Sequence, residues 1–318
     1  MNNEDGLGTT VLKRKTKYQP RRSWQTWLIG RPLPTSDAPH QTIGKFLGLA
    51  VFSSDALSSV AYATQEMLVI LAVLGTSAYL FVFPLSIAIV FLLAIVTLSY
   101  EQTIHAYPNG GGSYIVSRDN LGELPAQVAG AALLVDYLLT VAVSISSGVA
   151  QFVSGAPALY PYRVLISVVL VLFIMMVNLR GVRESGIVFA FPTYFFIITM
   201  FMTIGAGLVR SLTGALGQVS APPTLEVSQL GQNLSLFLLL RAFSSGTSAL
   251  TGVEAISNGI PAFREPRTKN AGATLIIMAC ILGTMLLGIS FLASFIHAVP
   301  AETETVISQI ARTIFNGR

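Results

Sequence analysis

Charge is what this sequence lacks most. Asp, Glu, Lys and Arg together make up 11% of its 318 residues, against roughly 25% in a soluble domain. Cysteine is almost absent: the lone Cys280 excludes an internal disulfide and leaves a cysteine-based metal site without a second ligand. The three histidines, His40, His105 and His297, lie far apart in the chain, which argues against a His-ligated transition metal. The glycine run at 110–112 is not followed by the Gly-Lys-Ser/Thr of a phosphate-binding loop. Nothing here calls for an enzyme active site or a cofactor. What is present is apolar: 53% of the residues are hydrophobic. With so few charges, the formal net charge of +4 is no footprint for nucleic acid; it reads as a membrane-topology signal.

Residues 1–42 form a polar, basic tail with Lys13, Arg14, Lys15, Lys17, Arg21 and Arg22, expected to be partly disordered. A polar stretch of this length before any apolar run does not read as a secretory signal. Trp24 and Trp27 beside Arg21 and Arg22 read either as an interfacial anchor or as incidental members of a loose tail. Seven apolar segments follow, each near the ~20 residues a spanning helix needs: about 44–74, 79–100, 126–154, 163–179, 185–210, 234–260 and 271–297. With the N-terminus inside, fourteen of the nineteen Lys and Arg fall on the inner side, including Arg118, Arg180, Arg183, Arg264, Arg267 and Lys269. This predicts a multi-pass protein of the cell membrane with a cytoplasmic N-terminus. The loop Tyr107–Tyr114 reads as a tight cytoplasmic turn in which Gly supplies positive φ. Beyond the seventh segment, Val306, Ile307, Ile310, Ile314 and Phe315 are spaced as an amphipathic helix lying on the outer face.

The first and sixth segments carry polar clusters at mid-span. The first reads Phe52-Ser53-Ser54-Asp55-Ala56-Leu57-Ser58-Ser59-Val60-Ala61-Tyr62; the sixth has Ser244-Ser245-Gly246, then Ala249-Leu250-Thr251-Gly252-Val253-Glu254. The pattern Ala-Leu-Ser/Thr-Ser/Gly-Val recurs at the same depth. These segments would be the first members of two five-helix units, 43–233 and 234–318, the second of them incomplete. Inverted repeats with discontinuous helices at corresponding positions mark secondary transporters of the LeuT type, whose ligand sits at the midplane between the breaks. The sequence therefore predicts an all-α membrane fold with helices 1 and 6 broken, and a chain that forms the N-terminal part of a longer protein.

Three carboxylates lie at membrane depth, where a charge costs at least ~2.5 kcal/mol on insertion scales. Asp136 shares one helix face with Thr140, Ser144 and Ser147. Asp55 precedes the i, i+4 pair Ser58 and Tyr62, and Glu254 follows Thr251 by three residues. One cation, Arg241, lies within a span; it either pairs with a carboxylate such as Asp55, in a gating or structural role, or snorkels to the interface. Hydroxyls, carbonyls and one or two carboxylates suit a hard monovalent cation, and buried carboxylates also serve as proton carriers. A zwitterionic amino acid would instead need a free helix N-terminus at the first break, where Asp55 would repel its carboxylate. Ser53, Ser54, Ser59, Ser147, Ser244 and Ser245 are read as bonding helix backbones.

At these residues the chain resembles the KimA-type potassium importers of the KUP group, within the amino acid–polyamine–organocation (APC) superfamily. The resemblance rests on Phe52–Tyr62, on Ala106–Val116, on Leu133-Leu134-Val135-Asp136-Tyr137, on Asn178-Leu179-Arg180-Gly181, and on Ala242–Gly246 with Ala249–Asn258. It covers about residue 27 to the end. It implies a LeuT-like fold, homodimers at full length, and proton-coupled potassium uptake across the bilayer. It places the potassium-lining positions on Asp55, Tyr62, Asp136, Thr140, Ser144, Thr251 and Glu254. Two alternatives stand beside this reading: an amino acid permease of the same superfamily, and an inactive truncated membrane fragment.

Overall fold

A computed structural model describes residues 42–179, 182–220, 222, 234–301 and 303–315, with residues 182–185 as backbone only. The basic tail with Trp24 and Trp27, and Arg180, lie outside the described residues. All regular secondary structure among the described residues is helical, apart from one isolated bridge between Ile43 and Phe263. Six helical stretches are long and apolar enough to cross a membrane. The first, Lys45–Ala106, holds α1 (Lys45–Leu71) and α2 (Tyr79–Ala106), joined by a 3-10 segment whose Gly75 leaves the helical region. α3 (Gly112–Leu121) leads into α4 (Glu123–Gly155), followed by α5 (Arg163–Asn178) and α6 (Val182–Leu212). The sixth apolar segment contains α7 (Leu236–Gly246) and the four-residue α8 (Ala255–Asn258), and the last span is α9 (Arg267–Ile296). α10 (Val306–Phe315) closes the described chain.

α1 and α9 form the centre of the bundle. Between them they bury Leu57, Val60, Met67, Leu68, Leu275, Met278, Leu282, Met285 and Leu286 in one continuous core. α4 and α5 carry apolar side chains such as Leu138, Leu139, Leu165 and Val169 outward. A helix apolar on its exposed side is suited to lipid or to further protein, not to water.

One expectation about the backbone is corrected. Helix 1 is not broken: α1 runs without interruption through Ser53–Ser59. Phe52–Tyr62 contains neither Gly nor Pro, so nothing in it forces the chain out of the helix. Three of its four serines fold back on the backbone instead: Ser54 Oγ donates to the Val51 carbonyl at 3.3 Å, and Ser58 Oγ and Ser59 Oγ to the Asp55 carbonyl at 2.7 and 3.1 Å, as hydroxyls in apolar helices commonly do; Ser53 Oγ is buried without a partner among the described residues. Helix 6 is broken as anticipated. α7 ends at Gly246, a 3-10 turn covers Thr247–Leu250, Thr251 is extended (ψ 135), and Gly252 takes φ +84 before α8 begins.

The glycine loop after α2 is the tight turn the sequence predicts, with φ of 78, 103 and 43 at Gly110, Gly111 and Gly112. It also packs where no side chain fits. A Cβ on Gly112 would lie 2.0 Å from Asn258 Oδ1. The loop thus seats against the end of α8. Nearby, Ile43 N donates to Ala262 O at 2.8 Å and Ile43 O accepts from Arg264 N at 3.0 Å, tying the start of α1 to the segment after the break.

α10 is the amphipathic helix expected. It buries Val306, Ile310 and Ile314 against protein, while Phe315 stays exposed. Gln309 is fully buried there and clamps Val299 from both sides: its Nε2 donates to Val299 O at 2.6 Å and its Oε1 accepts from Val299 N at 2.9 Å. Gln309→Ala strands a buried backbone donor and acceptor, a cost of roughly 1–3 kcal/mol. The expected outcome is a clearly lower apparent melting temperature in detergent; a parental value would show that water or rearrangement replaces the clamp.

Candidate functional site

α1 places four residues on one face. Asp55, Ser59, Tyr62 and Glu66 follow one another at intervals of three and four residues. Tyr62 OH donates to Ser59 Oγ at 3.1 Å, and Ser59 Oγ to the Asp55 carbonyl. α4 crosses this face. Its Ser144 donates to Asp55 Oδ1 at 3.3 Å and accepts from Ser58 Oγ at 3.3 Å. Asp55 and four hydroxyls from two helices are therefore joined in one hydrogen-bonded chain, in which Ser144 reaches the carboxylate itself.

The third wall is the break in helix 6. Gly252 rests directly on the Asp55 carboxyl: a Cβ there would lie 2.6 Å from Asp55 Oδ2 and 3.2 Å from the Ala56 nitrogen. Thr251 stands beside it at the extended residue of the break. Two residues further, Glu254 caps α8, with Oε1 buried and no hydrogen-bond partner among the described residues. An orphaned carboxylate oxygen at this depth calls for a proton or a cation.

Asp136 on α4 lies at the exposed edge of the bundle, within electrostatic range of both Asp55 and Glu254. The neighbouring Tyr137 OH accepts from Asn258 Nδ2 at 2.5 Å, joining α4 to the end of the broken helix. Thr140 lies half-buried one turn from both Asp136 and Ser144. Arg241 is elsewhere. It sits exposed on α7, and no ion pair with Asp55, Asp136 or Glu254 occurs among the described residues. The three carboxylates thus interact with one another, and none has a basic partner among the described residues.

Of the residues expected from the sequence, Asp55, Tyr62, Ser144, Thr251 and Glu254 meet at the α1–α4–helix 6 junction, with Asp136 and Thr140 along its edge. Gly252 is not among them; its role depends on a contact 197 positions away in sequence, although a glycine inside an apolar span is a visible signal. Glu66 is not among them either, despite its helical spacing from Asp55 and Tyr62. Among the described residues no group of three or more His, Cys, Asp or Glu is placed to hold a metal ion. A cation here would rest on a mixture of carboxylate and hydroxyl oxygens.

A family model described as amino acid permease matches residues 45–317. The chain is 48% identical over 293 residues to a Bacillus subtilis (strain 168) protein described as potassium transporter KimA; the match covers 92% of this chain and 48% of that protein. It is 27% identical over 190 residues to an Arabidopsis thaliana protein described as cationic amino acid transporter 7, chloroplastic, covering 54% of this chain and 30% of that relative. The chain spans about half the length of the first relative and less of the second.

Proposed function

We propose, from the premise that this chain belongs to the amino acid permease family, that it carries the ion site of a secondary transporter importing potassium together with protons. The observation that carries this reading is the excess of negative charge at the site. Asp55, Asp136 and Glu254 interact with one another, no basic side chain pairs with them among the described residues, and Glu254 Oε1 is left without a partner. Uncompensated carboxylates at membrane depth require a cation or protons. The hydroxyls of Tyr62, Ser144, Thr140 and Thr251 supply neutral oxygens of the kind that replace a potassium hydration shell. The 48% identity to a protein described as a potassium transporter points the same way.

In this reading potassium occupies the space between α1, α4 and the break in helix 6. A proton on Glu254 offsets part of the negative charge when the ion leaves. The N-terminus is cytoplasmic, the protein resides in the cell membrane, and residues 43–233 and 234–318 are the first repeat and the start of the second. A homodimer is the expected assembly of the full-length protein.

The amino acid reading has the family description and the second relative in its favour. It meets an obstacle at Asp55, whose carboxyl lies where Gly252 approaches most closely. A substrate carboxylate placed there would face like charge.

Growth of a bacterium lacking its own potassium importers, at limiting potassium, tests the proposal. Expression of the complete reading frame that contains this chain is expected to restore growth, and rubidium uptake is expected to compete with potassium and not with amino acids. Absence of rescue with the protein present in the membrane, together with competition by an amino acid, would overturn potassium in favour of the permease reading.

A further inference from the structure

Glu66 lies eleven residues, or about 16 Å along the helix axis, beyond Asp55 on the same face of α1. It is half-buried inside a membrane-spanning helix, yet no hydrogen bond or ion pair reaches its carboxylate among the described residues. A carboxylate placed so has a functional reason by default. Glu66 borders a cavity of about 350 Å³ whose polar lining includes Tyr62, Gln65, Ser146, Ser147 and Gln151. Two of these oxygens are already engaged. Gln65 Oε1 accepts from Val306 N at 3.0 Å, and Gln151 Oε1 accepts from Thr305 Oγ1 at 2.6 Å, so that the start of α10 roofs the cavity.

Of the other polar lining residues, Glu66, Ser146 and Ser147 make no side-chain hydrogen bond among the described residues, and Tyr62 OH, which donates to Ser59 Oγ, keeps its lone pairs. One carboxylate with neutral hydroxyls is a donor set for a monovalent cation that sheds only part of its water. No basic side chain is among the residues that line this space; Arg163 lines the adjoining cavity and is committed elsewhere. Its guanidinium lies 4.2 Å from the Tyr160 ring centroid and donates to the Tyr160 carbonyl. Tyr62 belongs to both places: it lines this cavity, and its hydroxyl bonds Ser59 on the way to Asp55.

We propose that Glu66 forms a second, outer binding site for the transported monovalent cation, where the ion is held before Tyr62 hands it on to Asp55. This rests on the cation-transport reading above and on its orientation, which puts the Glu66 end of α1 on the outside. An outer site of this kind concentrates the ion at the mouth of the pathway without taking part in its release.

The test is rubidium uptake into proteoliposomes by the protein made from its complete reading frame. Glu66→Gln is expected to raise the KM for rubidium about tenfold at nearly unchanged maximal rate, and Glu66→Asp to restore most of the loss. An unchanged KM, or a fall in maximal rate alone, overturns the outer site. The unmodified protein offers an independent measurement that needs no variant to fold. Carbodiimide labelling of Glu66, read by mass spectrometry, is expected to fall severalfold in rubidium but not in choline; equal labelling in both overturns the proposal. Failure of the unmodified protein to transport rubidium counts against the potassium reading, whereas the labelling result still decides whether a cation binds at Glu66.

Discussion

Asp55→Asn is expected to lower rubidium uptake by a factor of about 100 or more, while the protein still inserts at parental levels. The side chain keeps its size, and its remaining oxygen still accepts the Ser144 hydroxyl that reaches Asp55 Oδ1 at 3.3 Å. What disappears is one full negative charge at the point where α1, α4 and the Gly252 backbone meet. Removing one member of a buried charge pair, here the carboxylate that would face the bound cation, costs ~3–5 kcal/mol, which corresponds to a loss of about 10²–10⁴-fold in binding. The neighbouring carboxylates Asp136 and Glu254 lie within electrostatic range of Asp55, and the repulsion that Asp55 exerts on each of them disappears when it is neutral. Uptake by proteoliposomes, normalised to inserted protein, gives the answer. Near-parental transport would remove Asp55 from the ion pathway and leave it a structural group held by Ser144.

Gly252→Ala is the second large effect, and it acts through shape alone. At φ +84 an L side chain is strained, at a cost of ~1–2 kcal/mol. The added methyl would also stand 2.6 Å from Asp55 Oδ2 and 3.2 Å from the backbone nitrogen of Ala56. The carboxyl can rotate away, but the α1 backbone cannot. The break in helix 6 must therefore retreat from α1, taking Thr251 and Glu254 with it. Rubidium uptake is expected to fall at least tenfold, with a lower apparent melting temperature. Gly205→Ala on α6 is the matched control: its added methyl meets nothing within 4 Å, so neither quantity should change. Parental uptake by Gly252→Ala would mean that the close approach to Asp55 has no bearing on the ion.

These two residues differ in how visible they were. Asp55 declared itself, because a carboxylate amid hydroxyls in an apolar run is a conspicuous expense for a membrane helix. Glu254 and Asp136 stood out for the same reason, and Ser144 through its helical spacing from Asp136. Gly252 gave only a weak sign. A glycine in a span is often mere packing, and nothing local reveals that it will lie against Asp55. Helix 1 shows the opposite failure: its polar cluster suggests unwinding, although Ser54, Ser58 and Ser59 satisfy themselves on the preceding turn and leave the helix whole. Polarity and discontinuity are separate properties, and only helix 6, with Gly246 and Gly252, has both.

The sequence by itself determined that this is an all-helical membrane protein, where its spans lie, and which side chains at membrane depth carry charge. Those properties follow from residue-by-residue transfer into an apolar medium, which is a local quantity. The tertiary structure decided which of the two polar segments unwinds, how Gly252 meets Asp55, and that α10 spends its apolar face on protein and roofs the cavity beside Glu66. These depend on contacts between residues as far apart as Gln65 and Val306. Such pairings arise from the packing of whole helices, for which no local preference in the chain stands as a substitute.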